Sequence, residues 1–142
     1  MDYAVDRESL TGLIEEEVSR VAASEYSDGG VSLYDSIAVS SRDADAVSRL
    51  IDSALESVVS RVPDICDWSG APTDVLSFSV EDLPEALVPS VEAVLDDYIV
   101  FHVCASWLAS RATDRSAEYA ARRDALLSDA VRLLRTRRRA AR

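Results

Sequence analysis

Apolar residues recur every three or four positions along most of this chain, and the rhythm breaks only at clusters of Gly, Pro, Ser and Asp. Across about residues 7 to 26, Leu10, Leu13, Ile14, Val18, Val21 and Ala22 trace one face of a helix, with Glu15, Glu16 and Glu17 mostly outside it. Ser27-Asp28-Gly29-Gly30 stops that segment with residues suited to turns and to positive φ. Residues 31–39 read as a connector, with extended backbone as one option. Ser40 or Ser41 then offers an N-cap, and Asp43 and Asp45 add negative charge where a helix dipole favours it. From there Val47, Leu50, Ile51, Ala54, Leu55, Val58, Val59 and Val62 keep the helical period unbroken as far as Pro63.

Residues 63–84 are the least regular. Ile65-Cys66-Asp67-Trp68 and the segment 75–80 are separated by turn-forming residues 69–74, and 75–80 fits a short strand. Two arrangements are compatible with this: a short β-hairpin, or an irregular loop packed down by Trp68 and Phe78. After Pro84 and Pro89 a long helix is expected over about residues 90–112. Its apolar positions, from Val91 through Tyr98 and Phe101 to Trp107 and Leu108, cover more than one face, which places it at the centre of a bundle. Thr113-Asp114-Arg115-Ser116 is expected to interrupt it and to cap a last helix over about 116–137. Tyr119, Leu126, Leu127, Ala130, Leu133 and Leu134 form that helix's inner stripe, and Arg132, Arg135 and Arg137 near its end complement the dipole.

The predicted fold is mainly α: a bundle of about four helices with an irregular insertion or short β-hairpin between helices 2 and 3. A length of 142 residues fits a single helical domain over 1–142, its first few residues and about 138–142 read as flexible ends. Apolar residues at 48% and charged residues at 29% are a globular composition. The most apolar stretch, 98–108, is about half of what spans a bilayer and contains His102, so a core helix is expected and no membrane contact. No charged-then-apolar leader opens the chain, so no secretory signal is read.

Charge changes this picture. The net charge is −11, but residues 1–110 carry 5 Arg against 22 acidic residues, while 111–142 carry 10 Arg against 4. The acidic body repels nucleic acid and anionic membrane; the basic end attracts them, or an acidic protein, and suits head-to-tail contact between copies. Every basic residue is Arg, with Lys, Asn and Gln absent, a bias that fits a GC-rich genome. Within the basic end, Arg132, Arg135, Arg137, Arg138, Arg139 and Arg142 are the candidate partner-docking residues, because guanidinium holds carboxylate or phosphate in bidentate fashion. A frayed, solvated terminus is the plain alternative. No aromatic residues interleave with these arginines, which argues against base-specific recognition.

Catalytic chemistry finds little to work with. His102 is the only histidine. Cys104 points away from it on a helix, so no zinc set converges there, and a structural role is expected in which the imidazole bonds a backbone or carboxylate partner. Cys66 and Cys104 make no metal knuckle or disulfide framework and read as two buried thiols in a reducing compartment, with Cys104's apolar surroundings raising its pKa. The pairs Asp43 and Asp45, Glu81 and Asp82, and Asp96 and Asp97 match no Ca²⁺ or Mg²⁺ pattern, and Asp28-Gly29-Gly30 lacks the continuation of a phosphate loop. No catalytic residue, cofactor site or metal site is assigned.

In helix order and soft apolar pattern the chain resembles the head–tail connector (adaptor) proteins of tailed bacteriophages and prophages. The stretches that carry the resemblance are 43–63, and 98–139 with its Ala105-x-Trp107-Leu108, Tyr119-x-x-Arg122 and repeated leucines. They amount to about half the chain, and the first 30 residues depart from the pattern. The resemblance implies a non-enzymatic ring subunit in the virion neck, assembled in the host cytoplasm. Such a subunit joins portal to tail-side neck proteins and lines the passage for DNA without sequence-specific binding. The alternative is a helical DNA-associated regulator that uses the Arg-rich end, and a third class is a small enzyme built around His102.

Overall fold

The computed structural model describes residues 1–67, 75–80 and 82–136. The chain opens with strand β1 (Asp2–Asp6), which runs directly into helix α1 (Arg7–Ser24). Asp6 caps α1 by accepting the Glu8 N–H at 2.8 Å. Gly30, at φ +79°, then turns the chain, with Ser27 N–H bonded to the Val31 carbonyl and Tyr26 bridged to Ser32.

The connector is not extended throughout. Residues 34–37 form a short helix, α2 (Tyr34–Ile37), held because Ser36 Oγ and the Ile37 N–H both bond the Leu33 carbonyl and Ile37 buries its side chain. Ser40 closes on Asp43, whose Oδ2 accepts both the Ser40 N–H at 2.8 Å and its hydroxyl at 3.0 Å. A 3-10 turn (Ser41–Asp43) passes from there into α3 (Ala44–Arg61).

Strands β2 (Cys66–Asp67) and β3 (Val75–Val80) follow. The sheet order is β1-β3-β2, antiparallel throughout, with Tyr3 opposite Phe78 and Cys66 opposite Val80. The link between β2 and β3, and Trp68 within it, lie outside the described residues. The N-terminal residues, read from sequence as a flexible end, are instead paired along the whole of β1. Their register follows from Tyr3, which is buried and donates its hydroxyl to Asp96 Oδ1 at 2.6 Å, pinning the strand to the central helix.

That central helix is α4 (Val88–Leu108), followed by α5 (Thr113–Leu134). The expected four-helix bundle is present as α1, α3, α4 and α5, and α4 packs against each of the other three. It starts two residues before Ser90 because Pro89 sits in the first turn, where a missing N–H removes no helical bond. α5 likewise starts at Thr113 and not Ser116. The Ser116 hydroxyl is turned toward α4, donating to the Ala105 carbonyl at 2.9 Å, and so clamps the corner instead of capping the helix.

Most of the predicted core is buried, from Leu10 and Ile14 in α1 through Val47 to Val58 in α3 and Leu95 to Leu108 in α4. Leu13 is not: it is 48% exposed, because the buried seam of α1 runs through Leu10, Ile14, Val18 and Val21 and leaves position 13 at its rim. Among the described residues no helix is long and apolar enough to cross a membrane. Leu95→Ala is expected to cost about 2–5 kcal/mol in urea denaturation. Leu13→Ala is expected to stay within about 0.5 kcal/mol.

Candidate functional site

The arginines singled out from sequence separate into two sets. Arg132 and Arg135 stand in and just after the last turn of α5; Arg137, Arg138, Arg139 and Arg142 lie outside the described residues. Arg132 is exposed and pairs loosely with Asp129 one turn back at 3.7 Å. Arg135 is committed within the fold: Nη2 donates to the Arg61 carbonyl at 2.9 Å and Nη1 lies 3.5 Å from Asp64. A cation at the end of α3 satisfies a carbonyl that no helical N–H reaches, and it opposes the negative end of the dipole. Arg135 therefore joins the ends of α3 and α5, and its freedom to grip a partner is reduced.

His102 sits half-buried between α3 and α4. Its Nε2 lies 3.3 Å from Ser53 Oγ and its Nδ1 3.5 Å from the Tyr98 hydroxyl. The expected backbone or carboxylate partner is thus replaced by two hydroxyls, because position 98 is one turn back on the same face and α3 presents Ser53 opposite. Burial depresses the imidazole pKa, and the nearby Arg123 adds to the effect. Neutral imidazole is the form this setting favours.

Cys104 is buried, and its thiol is pushed up to about 12 by burial and then by Glu17. Cys66 is only half-buried, at the start of β2, so the expectation of two buried thiols holds for Cys104 alone. Glu17 receives the Tyr119 hydroxyl at 2.9 Å and Arg20 at 3.1 Å. Burial and that bond push Tyr119 up to about 12 as well. The paired acids Asp96 and Asp97 divide. Asp96 accepts from Tyr3 and is raised above the usual carboxylate range, first by burial, whereas Asp97 is exposed. Among the described residues no three His, Cys, Asp or Glu side chains gather closely enough to hold a metal ion.

One cluster was not legible as a site in the sequence. Where α4 ends, Trp107 donates its indole N–H to the Ile37 carbonyl at 2.7 Å, and Arg111 stacks on the indole at 3.7 Å while donating to the Trp107 carbonyl at 2.7 Å. An open groove of about 710 Å³ lies beside them, between α2 and the turn before α3. Arg111 stands in the turn after α4, where its N–H bonds the Leu108 carbonyl and keeps the side chain over Trp107 four positions back. Only the fold brings a second guanidinium, that of Arg42, to the same groove.

Comparison with family models, with curated proteins and with solved structures gives no match.

Two outcomes test this geometry. Arg135→Ala is expected to lower stability by about 0.5–1 kcal/mol, and Arg132→Ala by less, read from denaturation midpoints at constant slope. His102 is expected to titrate below the ordinary 6.5 in a ring-proton NMR series. As pH falls the unfolded chain takes up that proton first, so the associated stability is intact above about 6.5 and is lost toward the folded pKa. His102→Asn should remove that part of the slope, and a midpoint above 6.5 contradicts the burial account.

Proposed function

We propose that this chain is a structural subunit of a tailed-phage or prophage virion neck, a head–tail connector without enzymatic activity. In this reading it is assembled in the host cytoplasm, joins portal to tail and, as a ring, lines the DNA passage. The observation that carries the reading is the separation of charge along a helical bundle: 22 acids on the first 110 residues and 10 of 15 arginines on the remaining 32. In a ring, acidic surfaces turned toward the lumen repel passing DNA and keep it from sticking. The basic end of one subunit meets the acidic body of the next, a heterologous contact that closes when the rotation between copies allows. Arg135 ties the end of α5 to the end of α3 and so fixes where that helix stops. The helix order that resembles connector proteins supports the same reading, and gene order bears on it directly, since portal, capsid and tail genes would lie alongside.

A helical DNA-associated regulator draws on the same arginines. The two part on what the arginines bind. Mixed with the portal protein encoded beside it, the full chain is expected to form ring-shaped complexes visible by electron microscopy. Replacing Arg132, Arg135, Arg137, Arg138, Arg139 and Arg142 by Ala should weaken that assembly by at least about tenfold, or 1.4 kcal/mol. Absence of rings, together with saturable binding to duplex DNA at moderate salt that the same replacements abolish, would replace the adaptor by the regulator.

A further inference from the structure

We propose that the groove between α2, the turn before α3 and the end of α4 is a docking site for a segment of a partner protein that places a single carboxylate beside an apolar side chain. This goes beyond the adaptor reading, which assigns contacts to the C-terminal arginines, and it stands on different residues.

The first support is electrostatic. In a chain with eleven more acids than bases, arginines would be expected to find carboxylates within the protein. Yet among the described residues neither Arg42 nor Arg111 forms an ion pair. Both are exposed and both line the same groove. Asp43, which lines the same groove, is already engaged by the Ser40 N–H and hydroxyl. Those two bonds, and then the field of Arg111 and Arg42, hold it below the usual carboxylate range.

The second support is preorganisation. Arg111 lies flat on Trp107 and donates Nη1 to the Trp107 carbonyl, and Trp107 is itself anchored to α2 through the Ile37 carbonyl. The guanidinium is thus fixed before any ligand arrives, so less rotamer entropy is lost on binding. Its unused N–H groups make the planar fork that suits a carboxylate.

The third support decides among ligands. Asp35 and Asp43 also line the groove, so its charges balance, and the surrounding body is strongly acidic. A polyphosphate backbone, or a run of carboxylates, would be repelled by that body at every charge it carries. A single carboxylate incurs that repulsion once and meets the two guanidiniums, and Tyr34, Ala38 and Val39 offer apolar contact beside it.

The test uses the full ¹⁵N-labelled chain and a blocked, otherwise uncharged peptide with one Glu beside Leu, observed through arginine Nε–H and tryptophan indole resonances. Saturable shifts at Arg42, Arg111 and Trp107 are expected, with the Gln-for-Glu peptide at least about tenfold weaker. Arg42→Gln is expected to weaken binding while leaving the Arg111 stack in place. Arg111→Lys, which keeps charge but loses the fork, should weaken it further. Equal binding of the Gln peptide, or no shift at all, overturns the proposal, as does tighter binding of inorganic phosphate or of duplex DNA. Shifts that grow with protein concentration alone make a second copy the occupant and overturn the assignment to a partner protein. Failure here leaves ring formation with the portal untouched, and failure of ring formation leaves this titration untouched.

Discussion

A helix buried over most of its circumference has to be surrounded, and α4 is such a helix. Tyr98, Ile99 and Val100 are consecutive and all buried, as are Val103, Cys104 and Ala105, and successive residues point about 100° apart. No single neighbour can cover that much surface. α5 takes one side, α3 and α1 take others, and β1 reaches the N-terminal half through Tyr3. The remaining architecture follows from enclosing this one element.

Enclosure sets terms for every polar group that α4 carries inward. Burying such a group without a partner costs about 1–3 kcal/mol, so each has one. Asp96 has the Tyr3 hydroxyl, His102 has Ser53 and Tyr98, and the Trp107 indole has the Ile37 carbonyl. These bonds do more than satisfy atoms. Each ties α4 to a different element, respectively β1, α3 and α2, so they determine which strand, helix and connector meet it. The partners of His102 are hydroxyls, and burial, with Arg123 nearby, favours the neutral ring.

The 3.6-residue rhythm is strong enough that the four long helices and most of their buried residues are legible from the chain alone. Val47 to Val62 and Val91 to Leu108 lie where their spacing puts them. Helix ends are less legible, because they depend on partners distant in sequence. Ser116 looks like a cap, yet its hydroxyl is drawn to Ala105, and α5 begins earlier. β1 left no helical or turn signal, since its register is set by β3 and by a buried tyrosine 93 residues from its acceptor. Of the candidate docking arginines, sequence placed Arg132 and Arg135 correctly at the end of α5, but nothing local foretells that Arg135 closes on the Arg61 carbonyl. That Arg42 and Arg111 line one groove is likewise a product of chain path, with 68 positions between them and no shared pattern.

Two kinds of arginine therefore coexist on one acidic protein, and they should respond differently to salt. At physiological ionic strength exposed charges are screened over about 8 Å, so attraction carried by net charge alone, as in the last residues of the chain, fades as salt rises. A guanidinium fixed against an indole and aimed into a groove gains from geometry and from partial exclusion of water, and loses less. On the two proposals made above, contact through the basic end would be the salt-sensitive one and seating in the groove the salt-resistant one. Among the described residues five of eleven arginines, Arg42 and Arg111 included, stand outside internal ion pairs, and charge that finds no carboxylate inside the fold remains available to one outside it.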